Sequence, residues 1–293
     1  MILVAGGTGR LGTLLVARLV ERGLHVRILT RDPTGARRLA RDLVTVVRGD
    51  VRDRQTLGPA TAGVDIVVSA VHGFAGPRPN SPATVDRDGN ANLIDAAQAA
   101  GAELVLISTV GAAADSPMEL FRMKHAAEQH AISRGIPTTI VRATAFAELW
   151  IELLDQTAAR SGRPLVFGRG ENPINFVSAA DVAALAERAV VDPATRGKIL
   201  EIGGPDDLTF NDLAQAVQAA AGRAKPPRHV PEPMLRAMAN TIGRVKPQIG
   251  RQARAALAMD REDLTFDAGP IHRLYPDLPC TTLTDVLASR ASR

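Results

Sequence analysis

The feature that most restricts the fold of this chain is a regular alternation of short apolar runs with amphipathic segments in its first half. Runs rich in Val, Ile and Leu without interleaved polar residues are typical of strands buried on both faces of a parallel sheet. The expected strands are Ile2–Ala5, His25–Leu29, Val44–Arg48, Ile66–Ala70, Leu104–Ser108 and Thr138–Arg142. The expected helices are Leu11–Arg22, Thr34–Arg41, Asn90–Ala100 and Met118–Arg134. This alternation predicts an α/β fold built on a doubly wound parallel sheet.

After residue 150 the pattern is less regular, and a Pro-rich connector at 225–233 marks a break. Two further strands and two helices are predicted at Ile174–Val177, Lys198–Ile202, Ala180–Val190 and Asn211–Ala221. We expect two domains. A sheet domain comprises residues 1–150 and about 181–204, and a smaller, substrate-facing subdomain comprises about 151–180 and 205–293.

The composition restricts the class of protein. With 45% hydrophobic and 23% charged residues among 293, the chain is expected to be globular and soluble. The single Cys280 excludes a disulfide framework, and the six histidines show no metal-ligand spacing, so no metal is expected. No apolar run approaches the roughly 18 residues of a membrane span, and no basic segment precedes the first apolar run. We therefore expect a cytoplasmic protein that does not bind membranes.

The charge pattern does not favour nucleic acid. The formal net charge is +4, and the basic residues, mostly arginine, are spread along the chain. Residues 222–254 hold eight Lys/Arg against one acid, Glu232. A solvated face or a contact in a homo-oligomer explains this segment better than an anionic substrate or nucleic acid, because no nucleic-acid-binding motif accompanies it.

A glycine-rich turn joins the first predicted strand to the first predicted helix. Its sequence is Gly-Gly-Thr-Gly-Arg-Leu-Gly, with no Lys-Ser/Thr pair after the last glycine, which excludes a Walker-type loop. Strand, tight turn and helix N-terminus together predict a dinucleotide site in a Rossmann-type domain. The alternative is a purely structural turn. The candidate cofactor contacts in the loop are Gly6, Thr8, Gly9, Arg10, Leu11 and Gly12.

The end of the second strand predicts the choice of cofactor. NAD-selective sites usually place a carboxylate there to bind the ribose 2′-OH. This chain has Arg31, followed by Asp32. Because a guanidinium pairs well with a phosphate, Arg31 favours NADP(H). The alternative is that Arg31 is a solvated surface residue.

With these residues in view, the chain resembles the atypical short-chain dehydrogenase/reductases, in particular the NmrA-like group of NAD(P)-binding proteins. The resemblance covers most of the chain and rests on an ordered series of short motifs. They are the Gly6–Gly12 loop, Arg31, residues 49–53, 86–93 and 107–109, Lys124 with Glu128, and residues 175–183 and 201–205. The resemblance implies that Asp50 and Val51 lie beside the adenine, that Ala70, Val71 and His72 lie along the cofactor, and that Lys124 reaches the nicotinamide ribose.

The chain departs from the short-chain dehydrogenase/reductases in one motif that concerns the chemistry. Short-chain reductases normally carry Tyr-x-x-x-Lys, in which the tyrosine gives a proton to the substrate oxygen. Here Leu120 stands four residues before Lys124, and the only tyrosine is Tyr275. The resemblance therefore implies fold and cofactor more directly than it implies a reaction.

Four residues are candidates for the chemistry. Lys124 is a candidate for proton exchange or, as an alternative, for a ribose hydrogen bond alone. Ser108 and Thr109 end the fifth strand and are placed to contact substrate or cofactor, although a turn that ends the strand explains them as well. His72 opens a loop predicted over residues 72–85 that would cover the cofactor; a polar loop residue is the alternative. His125 and His130 are expected to face solvent.

Scarce aromatic and methionine residues fall after strand ends and on a C-terminal helix. They are candidates for an apolar substrate pocket, with core packing as the alternative. A stripe of Met234, Leu235, Met238 and Ile242 is expected to face the core or to cover such a pocket. The candidate pocket residues are Phe74, Phe121, Phe146, Trp150, Met234 and Met238.

These observations favour an NADPH-dependent oxidoreductase that reduces a small apolar carbonyl or quinone-like compound by hydride transfer. One alternative is a redox sensor that binds NADP(H) without turnover and regulates a partner, which the missing tyrosine favours. Another is an epimerase or dehydratase with tightly held NAD(P).

Overall fold

The computed structural model describes residues 1–36, 39–40, 42–159 and 161–291. The chain folds into two compact units. The first unit comprises Met1–Ala143 and Val182–Glu201, and the second comprises Thr144–Asp181 and Ile202–Arg293. The chain thus leaves the first unit and returns to it before completing the second.

The first unit is built on a seven-stranded sheet. The strands are β1 (Ile2–Ala5), β2 (Val26–Thr30), β3 (Val44–Arg48), β4 (Ile66–Ser69), β5 (Glu103–Thr109), β6 (Thr138–Ala143) and β10 (Ile199–Ile202). Their order in the sheet is β10-β6-β5-β4-β1-β2-β3, and every neighbouring pair from β6 to β3 is parallel. The order reverses at β1, which confirms the doubly wound sheet.

Helices cover both faces of this sheet. They are α1 (Arg10–Glu21), α2 (Pro33–Ala36), α3 (Leu57–Thr61), α4 (Asp88–Ala99), α5 (Glu119–Arg134) and α7 (Ala179–Val191), most of which lies in this unit. In β1 all four residues are buried, and alternate residues Leu3 and Ala5 belong to a core cluster that includes residues of α3, α4 and α5. On α1 the buried Leu11, Leu15 and Leu19 are four residues apart and form one stripe.

The second unit contains two small sheets and a set of helices. Its strands are β7 (Ala145–Phe146), β8 (Leu165–Phe167), β9 (Ile174–Val177), β11 (Asp207–Leu208) and β12 (Arg228–Val230). One sheet has the order β11-β9-β7, and the other pairs β12 with β8. The helices of this unit are α6 (Ala147–Ala158), α8 (Phe210–Ala220), α9 (Glu232–Asn240), α10 (Ile242–Val245), α11 (Pro247–Met259), α12 (Gly269–Leu274) and α13 (Leu283–Ala291).

Most predicted elements are present within one or two residues of the expected bounds, but the segments after β2 and β4 differ from the expectation. The helix predicted over Thr34–Arg41 is observed as α2, and residues 37, 38 and 41 lie outside the described residues. The loop predicted to run to Val85 is interrupted by a helical turn of π type, Pro82–Arg87, because Ser81 and Thr84 form a capping box. Helix α3 was not predicted.

Candidate active site at the carboxyl edge of the sheet

The glycine loop after β1 is packed too closely for side chains at two positions. Gly6 has φ 86°, and a Cβ there would lie 2.6 Å from the Ala70 carbonyl oxygen. A Cβ on Gly12 would lie 2.1 Å from the Gly6 carbonyl oxygen. The Gly9 amide donates to that same carbonyl at 2.9 Å, which closes the turn. The loop therefore brings the first turn of α1 against the end of β1, as the sequence predicts.

The N-terminus of α1 is suited to an anion. Gly9 precedes the helix and supplies no side-chain cap, and the first turn contains no acidic residue. Amide groups of a first helical turn have no partner within the helix, and together with the helix dipole they favour negative charge. Thr8 and Arg10 are exposed, whereas the Leu11 side chain is buried, so only the backbone of Leu11 can meet a ligand.

The ends of β2 and β3 bring Arg31 close to Asp50. Arg31 donates to the Asn80 side-chain oxygen at 2.9 Å. The Asp50 carboxylate is bound by Arg52, with Nε 3.0 Å from Oδ1. Hydrogen bonding to Arg52, helped by the charges of Arg52 and Arg31, holds the pKa of Asp50 below its usual value.

Asp32, the carboxylate next to Arg31, is engaged in a local turn. Its Oδ1 accepts a hydrogen bond from the Gly35 amide at 3.0 Å, as an Asx turn at the start of α2 does. Val51, expected beside an adenine, is buried and belongs to the core of the first unit. Arg31 is thus one of the exposed cations at this end of the sheet, next to a carboxylate that its own turn engages.

Lys124 is buried because of its position on α5. The buried residues of that helix, Lys124, Ala127, Glu128 and Ala131, recur at intervals of three and four and form one face. Lys124 Nζ donates to the Val71 carbonyl at 3.1 Å and to the Ile107 carbonyl at 3.0 Å. The lysine thus joins the segment after β4 to the end of β5.

Asp86 is a site residue that the sequence did not single out. It is fully buried, and its Oδ1 lies 3.2 Å from Lys124 Nζ and 3.5 Å from His72 Nδ1. Burial alone would raise the pKa of Asp86, but the Lys124 charge, His72 and the Gly73 amide outweigh it and hold the pKa low. Asp86 and Lys124 are 38 positions apart in the sequence, so no local spacing indicates the contact.

Ser108 is engaged in a buried network. Its hydroxyl donates to Glu128, which also accepts from Arg142 Nε at 3.0 Å and Nη2 at 2.6 Å. Hydrogen bonding to Glu128, with further contributions from its charge and from Glu201, raises the pKa of Arg142. Thr109 Oγ1 lies 3.3 Å from the carbonyl oxygens of Val110 and Ala143. Both hydroxyls have partners that join β5 to α5 and β6.

His72 and Phe74 lie in the segment after β4, whereas Phe121 lies in the first turn of α5. The His72 side chain is 45% exposed, and its ring stacks on Phe74 with centroids 6.1 Å apart. Phe121 is half-buried, and its ring packs close to Gly111, where an added Cβ would lie 3.3 Å from the ring. On α5, His125 and His130 are both half-buried, and His130 Nε2 lies 2.8 Å from Asp95 Oδ1. The expectation that these two histidines face solvent is therefore wrong.

The candidate pocket residues of the second unit do not form one group. The Trp150 ring meets the Phe210 ring edge-on, with centroids 4.8 Å apart, and both line an apolar cavity together with Leu154 and Met259. Phe146 is half-buried in β7. Met234 is 55% exposed, and Met238 is half-buried.

The expectation that the stripe on α9 faces the core is wrong for two of its members. Leu235 is fully buried, but Met234 and Ile242 are 55% and 44% exposed. Ile242 lies beyond α9, because Asn240 ends that helix before Ile242 opens α10, whereas Met234 lies within α9 and is exposed beside Leu235.

In the part of the chain that the structure describes, no cluster of three or more His, Cys, Asp or Glu side chains is placed to hold a metal ion. None of the described helices combines the length and apolar character needed to cross a bilayer.

The fold and the loop after β1 define a Rossmann-type α/β protein with a helix N-terminus open to an anion. The chain belongs to the NmrA-like family, whose model matches residues 1–258. The match confirms the resemblance inferred from the motifs.

Two relatives illustrate the range of the similarity. The chain is 34% identical over 231 residues to an NAD(P)H azoreductase of Xenophilus azovorans, covering 78% of this chain and 76% of the relative. It is 24% identical over 287 residues to quinone oxidoreductase 2 of Escherichia coli K12, covering 97% and 96%.

Solved structures share the fold. An NADPH-dependent quinone oxidoreductase of Escherichia coli, complexed with NADPH, aligns with a TM-score of 0.81 at 23% identity, covering 99% of this chain and 100% of the other. The triphenylmethane reductase of Citrobacter sp., complexed with NADP(H), aligns with a TM-score of 0.79 at 20% identity, covering 99% of each chain.

Proposed function

We propose that the chain is an NADPH-dependent reductase that transfers hydride to a small apolar acceptor of the quinone or azo type. One observation carries the proposal: the glycine loop, Arg31 and buried Lys124 lie on the carboxyl edge of one parallel sheet, where open α/β sheets bind their ligands. The relatives named as an azoreductase and a quinone oxidoreductase support the acceptor class.

The residues present fit an NADP(H) molecule. The tight packing of Gly6 and Gly12 leaves the first amides of α1 open to a pyrophosphate, and no carboxylate in the first turn opposes it. Arg31 is an exposed cation that would pair with a 2′-phosphate, and Asp32 is engaged in its own turn. Bound there, the nicotinamide supplies the hydride, and the protein supplies binding and orientation.

Lys124 is proposed to orient the nicotinamide ribose. Within the described residues its ammonium donates two hydrogen bonds, both to backbone carbonyls, and its contact with Asp86 is an ion pair without hydrogen-bond alignment. The third N–H is therefore left for a ligand hydroxyl. The missing tyrosine is compatible with quinone-type acceptors. Hydride transfer to a quinone gives a phenolate-type oxygen, which is a more stable anion than an alkoxide. It can therefore form without a dedicated acid and take its proton from solvent.

The test is a turnover assay with purified protein. We expect oxidation of NADPH, followed at its nicotinamide absorbance, with a panel of benzoquinones, naphthoquinones and azo dyes, and little with simple ketones. Absence of turnover across the panel would contradict the proposal. Tight NADPH binding without turnover would instead favour the redox-sensor alternative.

Substitution of Arg31 should change the cofactor preference. An arginine–phosphate contact contributes about 1.5–3 kcal/mol, so Arg31→Ala should weaken NADPH binding by about ten- to a hundredfold. The affinity for NADH, which lacks the 2′-phosphate, should stay within twofold and serves as the internal control. Calorimetric titration of both cofactors measures the change. Equal weakening of both cofactors would argue against a 2′-phosphate contact.

A further inference from the structure

The segment that carries Asp86 is fixed at both ends. Ser81 caps the helical turn Pro82–Arg87, and the Asn90 side chain donates to the Asp86 carbonyl at 2.7 Å. Asn90 is itself fully buried. The Asp86 backbone is therefore held in place on both sides, and this fixes the position of the Asp86 carboxylate next to the segment that follows β4.

The two oxygens of this carboxylate have different surroundings. Oδ2 accepts a hydrogen bond from the Gly73 amide at 2.9 Å. Oδ1 lies close to Lys124 Nζ and His72 Nδ1 but has no aligned hydrogen-bond donor among the described residues. A fully buried carboxylate is costly unless opposite charge compensates for it. Here the compensating charge is the lysine proposed to contact the cofactor.

We propose that Asp86 is a positioning residue for the nicotinamide half of the cofactor. The negative charge of Asp86 holds the Lys124 ammonium in place and leaves the third N–H of the lysine for the ribose. Oδ2 of Asp86 fixes the backbone at Gly73, next to His72. Asp86 thus aligns two elements, α5 and the segment after β4, along the same stretch of ligand. This inference rests on the proposed function.

The proposal predicts that Asp86 affects only one half of the ligand. Asp86→Asn retains an oxygen for the Gly73 amide but removes the charge beside Lys124. We expect the dissociation constant for NADPH to rise about tenfold, while that for 2′,5′-ADP, which lacks the nicotinamide ribose, changes less than twofold. A general loss of structure would weaken both ligands alike. Asp88→Asn is the matched control, because Asp88 is exposed and pairs with Arg87, and it should bind both ligands like the parent.

A double-mutant cycle tests whether Asp86 acts through Lys124. Lys124→Met should weaken NADPH binding, and adding Asp86→Asn to it should weaken binding no further, since the charge to be positioned is gone. This comparison also serves if Asp86→Asn alone does not fold, because the double variant buries no unpaired charge at this site.

The outcomes separate the two proposals. A parent protein that binds neither NADPH nor 2′,5′-ADP in calorimetric titrations overturns the proposed function and this inference together. If the parent binds both ligands, the proposed cofactor site stands. Equal effects of Asp86→Asn on the two ligands, or no effect on either, would then overturn the role of Asp86 alone. So would a further tenfold loss of NADPH binding in the double variant relative to Lys124→Met.

Discussion

Replacing Gly12 with alanine should raise the dissociation constant for NADPH by about a hundredfold or more. The new Cβ would lie 2.1 Å from the Gly6 carbonyl oxygen and 2.6 Å from the Gly7 Cα, and both are backbone atoms that no side-chain rotation can move. The loop must therefore open, and the first amides of α1 lose their alignment. Loss of two charge-assisted hydrogen bonds, at about 1.5 kcal/mol each, corresponds to that factor.

A second glycine provides the control for this substitution. Gly58 lies in α3, and a Cβ built on it meets nothing within 4 Å. Gly58→Ala should bind NADPH like the parent and keep or slightly raise the stability, by up to about 1 kcal/mol. Calorimetric titration measures the binding. Parent-like binding by Gly12→Ala would show that the pyrophosphate does not lie against α1.

Removal of the Glu128 side chain should lower the stability of the first unit strongly. Glu128 is 1% exposed and accepts hydrogen bonds from Ser108 and Arg142. Glu128→Ala leaves a half-buried guanidinium and a buried hydroxyl without this partner. Breaking a buried ion pair typically costs about 3–5 kcal/mol. We expect the melting temperature to fall by about 10 °C.

Calorimetry is the appropriate measurement for Glu128→Ala. The single Trp150 lies in the second unit, so intrinsic fluorescence would report mainly on that unit. Gln129→Ala is the control, because Gln129 is exposed on the same helix and its truncation should change the stability by less than about 0.5 kcal/mol. A melting temperature of Glu128→Ala within a degree of the control would contradict the prediction.

The strands of the large sheet were predictable because each is a short apolar run bounded by turn or helix signals, and β1 and, in the second unit, β9 are also buried on both faces. β1, β3 and β9 begin and end at the predicted residues. Helix α3 escaped prediction because it has only five residues and contains Gly58 and Pro59, which weaken helix propensity. The turn at Pro82 had a local indication, since Ser81 and Thr84 are spaced as a capping box, but the Gly and Pro residues before it favoured a loop.

The candidate site was likewise predictable only in part from the sequence. The glycine loop and Arg31 are local patterns next to predicted strand ends, so the sequence is sufficient to propose them. The Asp86–Lys124 and Ser108–Glu128–Arg142 contacts join residues that are distant in sequence. Only the packing of α5 on the sheet brings them together, and no periodicity within either segment indicates the partner.

The return of the chain to the first unit has a consequence for biosynthesis. Strand β10 borders β6 at the edge of the large sheet, and Glu187 of α7 pairs with Arg18 and Arg22 of α1. A nascent chain that has reached only residue 143 lacks both elements and exposes β6 as an open edge, which invites wrong pairing. Translation must pass residue 202 before that border is covered, so we expect a chain that ends between residues 143 and 202 to be prone to aggregation.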